Sequence, residues 1–90
     1  MKANIAVNIR SKEESEQVQM ALYAVGYNWF DNSTKPYDEP LRIYKEKTAI
    51  WIESPLLYGS VPYAIKDGLK VVSVNKFFGS VLPTLEPIIE

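Results

Sequence analysis

The sequence predicts an α+β fold, a small β-α-β-β-β domain with one main helix packed on a mainly antiparallel sheet and an extended C-terminal arm. The prediction rests on three features. The segment from Ser11 to Tyr27 carries helix signals at both ends; the segments around it alternate apolar and polar residues with the period of strands; and the tail after Gly79 has neither period. Ninety residues suffice for one hydrophobic core but not for two. Residues 1–79 are therefore expected to form a single domain, and residues 80–90 a Pro-rich arm.

Ala3 to Arg10 alternates Ile5, Val7 and Ile9 with Asn4, Ala6 and Asn8, the pattern of a strand with one buried and one open face. It leads into a capping box. The Ser11 hydroxyl takes the backbone N–H of Glu14, and the Glu14 carboxylate reaches back to the N–H of Ser11. Glu13, Glu14 and Glu16 place negative charge in the opening turns, where the helix dipole favours it, and Gly26 supplies the left-handed residue that ends the helix. Tyr27 is expected to fold back on Leu22. Val18, Ala21, Leu22 and Val25 follow the i, i+3, i+4, i+7 spacing of an apolar stripe, with Glu16, Gln19 and Tyr23 largely off it. On this reading Leu22 is a core residue, and truncating Gln19 costs far less.

After Tyr27 the sequence N-W-F-D-N-S-T-K-P-Y-D-E-P, with Pro36 and Pro40, reads as a long surface loop. Such loops either carry function or are tolerated insertions. Leu41 to Tyr44 and Thr48 to Glu53 read as strands joined in a hairpin through Lys45, Glu46 and Lys47. Ile50 and Ile52 face the helix; Ala49, Trp51 and Glu53 face away. Pro55 closes that strand. Leu56 to Gly68 reads as a loop with a turn of helix around Tyr63 to Asp67, and Lys70 to Val74 as a short strand. Asn75 caps one further turn, which ends at Gly79.

Composition narrows function mainly by exclusion. A net charge of −1 gives no electrostatic footprint for duplex nucleic acid. No apolar run reaches the roughly 18 residues of a membrane span and no basic leader is visible, so a cytoplasmic protein without a membrane partner is expected. The chain has neither Cys nor His. Thiolate chemistry, disulfides and Cys-ligated zinc are excluded, and the commonest acid/base and metal-binding side chain is missing. No cofactor, metal site or enzyme activity is expected.

The Ser11–Trp29 segment S-K-E-E-S-E-Q-V-Q-M-A-L-Y-A-V-G-Y-N-W is followed by a loop, a short hairpin and a closing K-V-V-S-V-N-K-F-F. In these features the chain resembles a group of small accessory proteins of tailed bacteriophages that carry an E-x-V-Q-x-A-L-x-x-x-G-Y-x-W core. The likeness covers about Ala3 to Phe78 and consists of helix patterning and aromatic anchors. It contains nothing catalytic. It implies a β-α-β-β-β domain from a viral genome, of a kind that modulates or blocks host machinery. The Pro-rich loop and tail depart from the compact pattern.

If the helix covers Ile50 and Ile52, strand parity puts Asn4, Ala6, Asn8, Arg42, Tyr44, Ala49, Trp51, Val71 and Ser73 on the opposite face of the sheet. Arg42, Tyr44 and Trp51 are residue types enriched at binding hot spots, so this patch is the expected binding surface. Otherwise it is covered by residues 54–69 or by the arm, or it forms a homodimer interface. A second aromatic set, Trp29, Phe30, Tyr37, Tyr58 and Tyr63, lies in or beside loops. Trp29 reads as a core plug, and Phe30 and Tyr37 as exposed candidates for contact. Single-stranded nucleic acid needs a continuous basic groove, whereas acidic residues interrupt the basic stretches here. The three helix glutamates are explained by capping, and Gly59-Ser60 and Gly79-Ser80 lack the rest of a phosphate loop. The expected function is a viral accessory protein that binds a host protein and inhibits or redirects it, in an anti-defence or host-takeover role. The alternative is a small-molecule sequestering protein that holds a nucleotide-like ligand against its aromatics.

Overall fold

A computed structural model describes residues 4–31 and 35–85. Strand β1 (Ile5–Ile9) leads into helix α1 (Lys12–Ala24). Helix α2 (Glu39–Tyr44) and a 3-10 turn (Lys45–Lys47) precede β2 (Thr48–Trp51) and β3 (Leu57–Ser60). Helix α3 (Val61–Lys66) leads to β4 (Lys70–Val72), and a closing helical segment begins with α4 (Val74–Lys76). The strands form one four-stranded sheet in the order β3-β2-β1-β4. The β1–β2 and β2–β3 pairs are antiparallel and β1–β4 is parallel. The α+β class and the mainly antiparallel sheet are as the sequence predicts.

Pairing of Val7 with Ile50 and Val72, and of Ile50 with Tyr58, puts these side chains on one face of the sheet. There Val7, Ile9, Ile50, Ile52 and Val72 build the main core with Val18 and Leu22 of α1 and with Phe77 and Val81 of the closing segment. The opposite face is not open. Ala6, Ala49 and Trp51 form a second core with Ala64 of α3, flanked by Val61, Leu69 and Val71. The sheet is covered by helices on both faces rather than by one.

Helix α1 has the expected ends. Ser11 Oγ accepts the N–H of Glu14 at 3.1 Å, and a Glu14 carboxylate oxygen accepts the N–H of Arg10 at 2.9 Å, one residue before the cap predicted as its partner. At the other end Gly26 has φ 97°, Tyr27 N–H donates to Leu22 O at 2.9 Å and Gly26 N–H to Tyr23 O at 3.0 Å. These paired bonds, closed by a left-handed glycine, constitute a Schellman cap.

Leu41 to Tyr44 is helix rather than strand. Pro40 lies in the first helical turn, where its missing N–H costs nothing. Pro40 is buried and Leu41 and Tyr44 half-buried, while Arg42 and Ile43 are exposed. That is a helical period, which four residues cannot distinguish from an alternating one. Thr48 fastens the segment, its buried hydroxyl lying 2.6 Å from Lys45 O and 3.3 Å from Pro40 O. Asn8 Nδ2 donates across to Glu46 O and Thr48 O.

The hairpin partner of β2 is instead β3, inside the stretch read as loop. Gly59 hides this strand from pattern reading, yet the strand requires it: a Cβ there would lie 2.8 Å from Trp51 Cη2. Helix α3 starts at Val61, with Ser60 Oγ accepting the N–H of Tyr63 at 3.3 Å. Near the C-terminus Ser73, not Asn75, caps α4. The chain continues past Gly79 as a π-helical turn (Phe77–Val81) and a 3-10 turn (Leu82–Thr84). Phe77 and Val81, four residues apart, are buried in the core. The described part of the arm is therefore coiled rather than extended, and residues 86–90 lie outside the described residues.

A candidate aromatic cleft at the sheet edge

The structure separates the three residues of the expected patch. Trp51 does project away from α1, but it is only 7% exposed, beneath α3, with its ring 6.2 Å from that of Tyr63. Tyr44 is on a helix and not on a neighbouring strand, and its ring meets Tyr58 at 6.3 Å on the α1 side of the sheet. Arg42 lines a different recess, about 320 Å³, with Lys12, Asp38 and Leu41. Asp38 Oδ1 is buried without a hydrogen-bond partner among the described residues. Parity is correct for Trp51 and inapplicable to Tyr44.

Phe30 and Tyr37 come together with Trp29 and Tyr58 of the same aromatic set, and with three residues the sequence did not group with them. A cleft of about 330 Å³ is lined by Trp29, Phe30, Asp31, Tyr37, Leu56, Leu57 and Tyr58. Phe30 is 88% exposed at its rim. One wall is the segment after α1; the other is the approach to β3. Leu56 N–H joins them by donating to Asn28 O at 2.9 Å. Tyr58 reaches the cleft because it stands opposite Ile50, on the α1 side.

Gln19 holds the aromatic wall. Its side chain, read from sequence as off the buried stripe, is fully buried. Nε2 donates to Ser15 Oγ at 2.7 Å and to Tyr37 O at 2.9 Å. Oε1 accepts the indole N–H of Trp29 at 2.8 Å and the backbone N–H of Tyr37 at 2.6 Å, with Tyr23 Oη at 3.4 Å. Both donors and the acceptor oxygen are fully used. Tyr23 Oη also donates to Lys35 O at 2.9 Å. The Gln19 amide and the Tyr23 hydroxyl thus tie Trp29, Lys35 and Tyr37 to the helix. The rings it positions are inclined steeply: Trp29–Tyr37 at 5.5 Å and 58°, Trp29–Tyr58 at 6.0 Å and 75°, Tyr37–Tyr58 at 5.9 Å and 67°. Such tilted and edge-to-face pairs are favoured aromatic geometries.

No family model matches the chain, and no curated protein or solved structure matches it.

Two phenols beside the cleft are shifted upward. Tyr37 Oη donates to Glu39 Oε2 at 2.7 Å, and this bond, with smaller contributions from burial and the charges of Glu39 and Asp31, pushes the phenol up to about 12. Burial raises the Tyr23 phenol, with the charge of Asp31 adding to it and the contact with Trp29 opposing. Among the described residues lining the cleft none is Lys or Arg, and no group of described residues could hold a metal ion. No described helix is long and apolar enough to cross a membrane. Asp31, Leu56 and Leu57 escaped the sequence reading of the site, and Tyr58 was placed in the second aromatic set but not among the candidates for contact. The usable signal was the run of Tyr58 and its apolar neighbours after Pro55, a strand pattern masked by Gly59.

Proposed function

We propose that the protein acts by binding a protein partner, not by catalysis, and that the aromatic cleft is the contact surface. The observation that carries this reading is Phe30, 88% exposed beside a concave set of aromatic and leucine side chains. An exposed large apolar residue next to a preformed apolar cleft has the make-up of an interface anchor beside its pocket. The aromatics sit on a wall fixed by Gln19, so little ordering entropy is lost on binding. The resemblance of Ser11–Trp29 to small phage accessory proteins supports a viral protein that engages and inhibits or redirects a host protein. The nucleotide-like ligand is less well served: phosphate needs cationic or N–H donors, and Arg42 lies in the other recess.

The test is affinity capture from lysate of candidate host cells with wild-type protein, Phe30→Ala, Leu57→Ala and Arg42→Ala, with thermal unfolding of each variant measured alongside. Phe30→Ala and Leu57→Ala should lose the partner while keeping wild-type stability; Arg42→Ala should retain it. A partner held equally by the cleft variants, or lost only with Arg42→Ala, refutes the assignment.

A further inference from the structure

The cleft adjoins a row of unpaired backbone groups. Ile52 N–H donates to Ile5 O at 3.1 Å, so along the antiparallel β1–β2 ladder Thr48, Ile50 and Ile52 turn their backbone groups to β1, and Ala49 and Trp51 turn theirs to β3. Gly59 and Leu57 stand opposite Ala49 and Trp51 and face β2. The backbone groups of Tyr58 and Ser60 therefore point outward, and β3 is the last strand on that side of the sheet. One group of this outward row, Leu56 N–H, is met by Asn28 O at 2.9 Å. Tyr58 N–H, Tyr58 O and Ser60 N–H are met by no described residue. Strand edges are commonly blunted by charge or proline. The opposite edge, β4, carries the exposed Lys70, whereas L-Y-G-S of β3 has neither device. The cleft opens along this bare edge: it touches both Leu57 and Tyr58, which as neighbours in a strand point to opposite faces, so the space they share lies at the free side of β3.

We infer that the protein partner presents an extended segment that pairs with β3 as a fifth strand and sets an aromatic or large aliphatic side chain, opposite Tyr58, into the cleft. This rests on the protein-binding reading above and names what the partner presents. Main-chain bonds hold such a segment, and the pocket beside them chooses its residue. The side chain opposite Tyr58 falls on the face that Tyr58 occupies, the α1 side, where Trp29 and Tyr37 stand. The row is short, closed by Asn28 at one end and by the start of α3 at Val61 at the other. Few main-chain bonds form there, each of small net worth, so the side chain in the cleft supplies the remaining affinity. A volume of about 330 Å³ is at the lower end of ligand clefts and has room for one large side chain.

The experiment is nuclear magnetic resonance of the full chain, reading amide hydrogen exchange along β3 and the Trp29 indole N–H. The probe is the peptide acetyl-Lys-Thr-Val-Phe-Val-Thr-Lys-amide, with three counterparts: central Phe replaced by Ala, the Phe nitrogen methylated, and both Val nitrogens methylated. In the free chain the Tyr58 and Ser60 amides should exchange about tenfold or more faster than those of Leu57 and Gly59. The parent peptide should slow Tyr58 and Ser60 and shift the Trp29 indole. The Ala counterpart should bind about tenfold more weakly. One N-methylated peptide should fail while the other binds: methyl on Phe blocks an antiparallel addition, and methyl on the Val pair a parallel one. Both N-methylated peptides binding like the parent overturns strand addition and leaves the cleft standing as an apolar contact surface. An Ala counterpart as tight as the parent overturns the seated side chain. A Tyr58 amide as slow as Gly59 in the dilute free chain, or one that slows only as the chain itself is concentrated, overturns the inference by showing the edge closed or filled by a second copy. Tyr58 exchange unchanged by every peptide overturns it altogether, while capture with Phe30→Ala still decides the protein-binding reading on its own.

Discussion

Replacing Gln19 by Leu separates a surface helix position from the post on which the aromatic wall hangs. The side chains are close in size, so little cavity is made, and the change falls on hydrogen bonds. Two donors lose their acceptor: the indole N–H of Trp29, a residue 7% exposed, and the backbone N–H of Tyr37. A buried donor left unsatisfied costs about 1–3 kcal/mol, so the pair should cost about 2–6 kcal/mol unless water enters. Ser15 Oγ and Tyr37 O lose a donor as well, a smaller penalty where they can rotate or hydrate. For a single domain whose whole stability is about 5–15 kcal/mol this is a large loss. Urea unfolding followed by tryptophan fluorescence and by circular dichroism measures it. Gln19→Ala should cost about as much as Leu22→Ala, the latter about 2–5 kcal/mol as a core truncation. A Gln19→Leu protein within about 0.5 kcal/mol of wild type, the range of ordinary surface substitutions, would refute the reasoning.

Ser11→Ala removes the acceptor for the Glu14 N–H and should destabilise by about 1 kcal/mol in the same titration. Trp51→Ala should cost about 3–5 kcal/mol, because the indole fills the core under α3. Gly59→Ala forces its new methyl against Trp51 and should cost about 1–3 kcal/mol by overpacking, detectable as a lowered thermal midpoint. Tyr37 should ionise at about pH 12 in a spectrophotometric titration, and Glu39→Gln should bring it back toward 10. Because the folded state holds this proton more tightly than the unfolded chain, the associated stability is present below pH 10 and is lost as pH rises from 10 toward 12.

What was legible in the sequence was carried by rules with a local cause. The caps of α1 depend on a hydroxyl, a carboxylate and a glycine within a few residues of the backbone groups they satisfy, so S-K-E-E and G-Y state both ends. The facing of Ile50 and Trp51 follows from the two-residue period of a strand and needs only one fixed neighbour. Failure came where a segment is too short to show a period. Leu41–Tyr44 fits an alternating and a helical pattern equally, and Pro40 in the first turn was the cue that favoured helix. Once that segment is a helix, the sheet recruits its next strand from Leu57–Ser60, and the expected patch of Arg42, Tyr44 and Trp51 has no common surface.

The cleft was hidden for a different reason: its organiser is polar. Ser15, Val18, Gln19 and Leu22 are the buried residues of α1 and follow i, i+3, i+4, i+7 as strictly as the apolar set Val18, Ala21, Leu22 and Val25. The two stripes are displaced by three residues, about 60° around the helix at roughly 100° per residue. Reading by hydrophobicity alone chose the second, which leaves Ala21 and Val25 only half-buried. A buried glutamine is tolerable only if each of its donors and acceptors is used, and the partners used here, the Trp29 indole and the Tyr37 backbone, belong to a loop without strand or helix to satisfy it. Trp29, Tyr37 and the glutamine therefore account for each other: Gln19 supplies the bonds these two residues lack, and Gln19 is buried because they cover it. The aromatic wall lies where this exchange occurs, so the residue governing its geometry is one that hydrophobic patterning assigns to the surface.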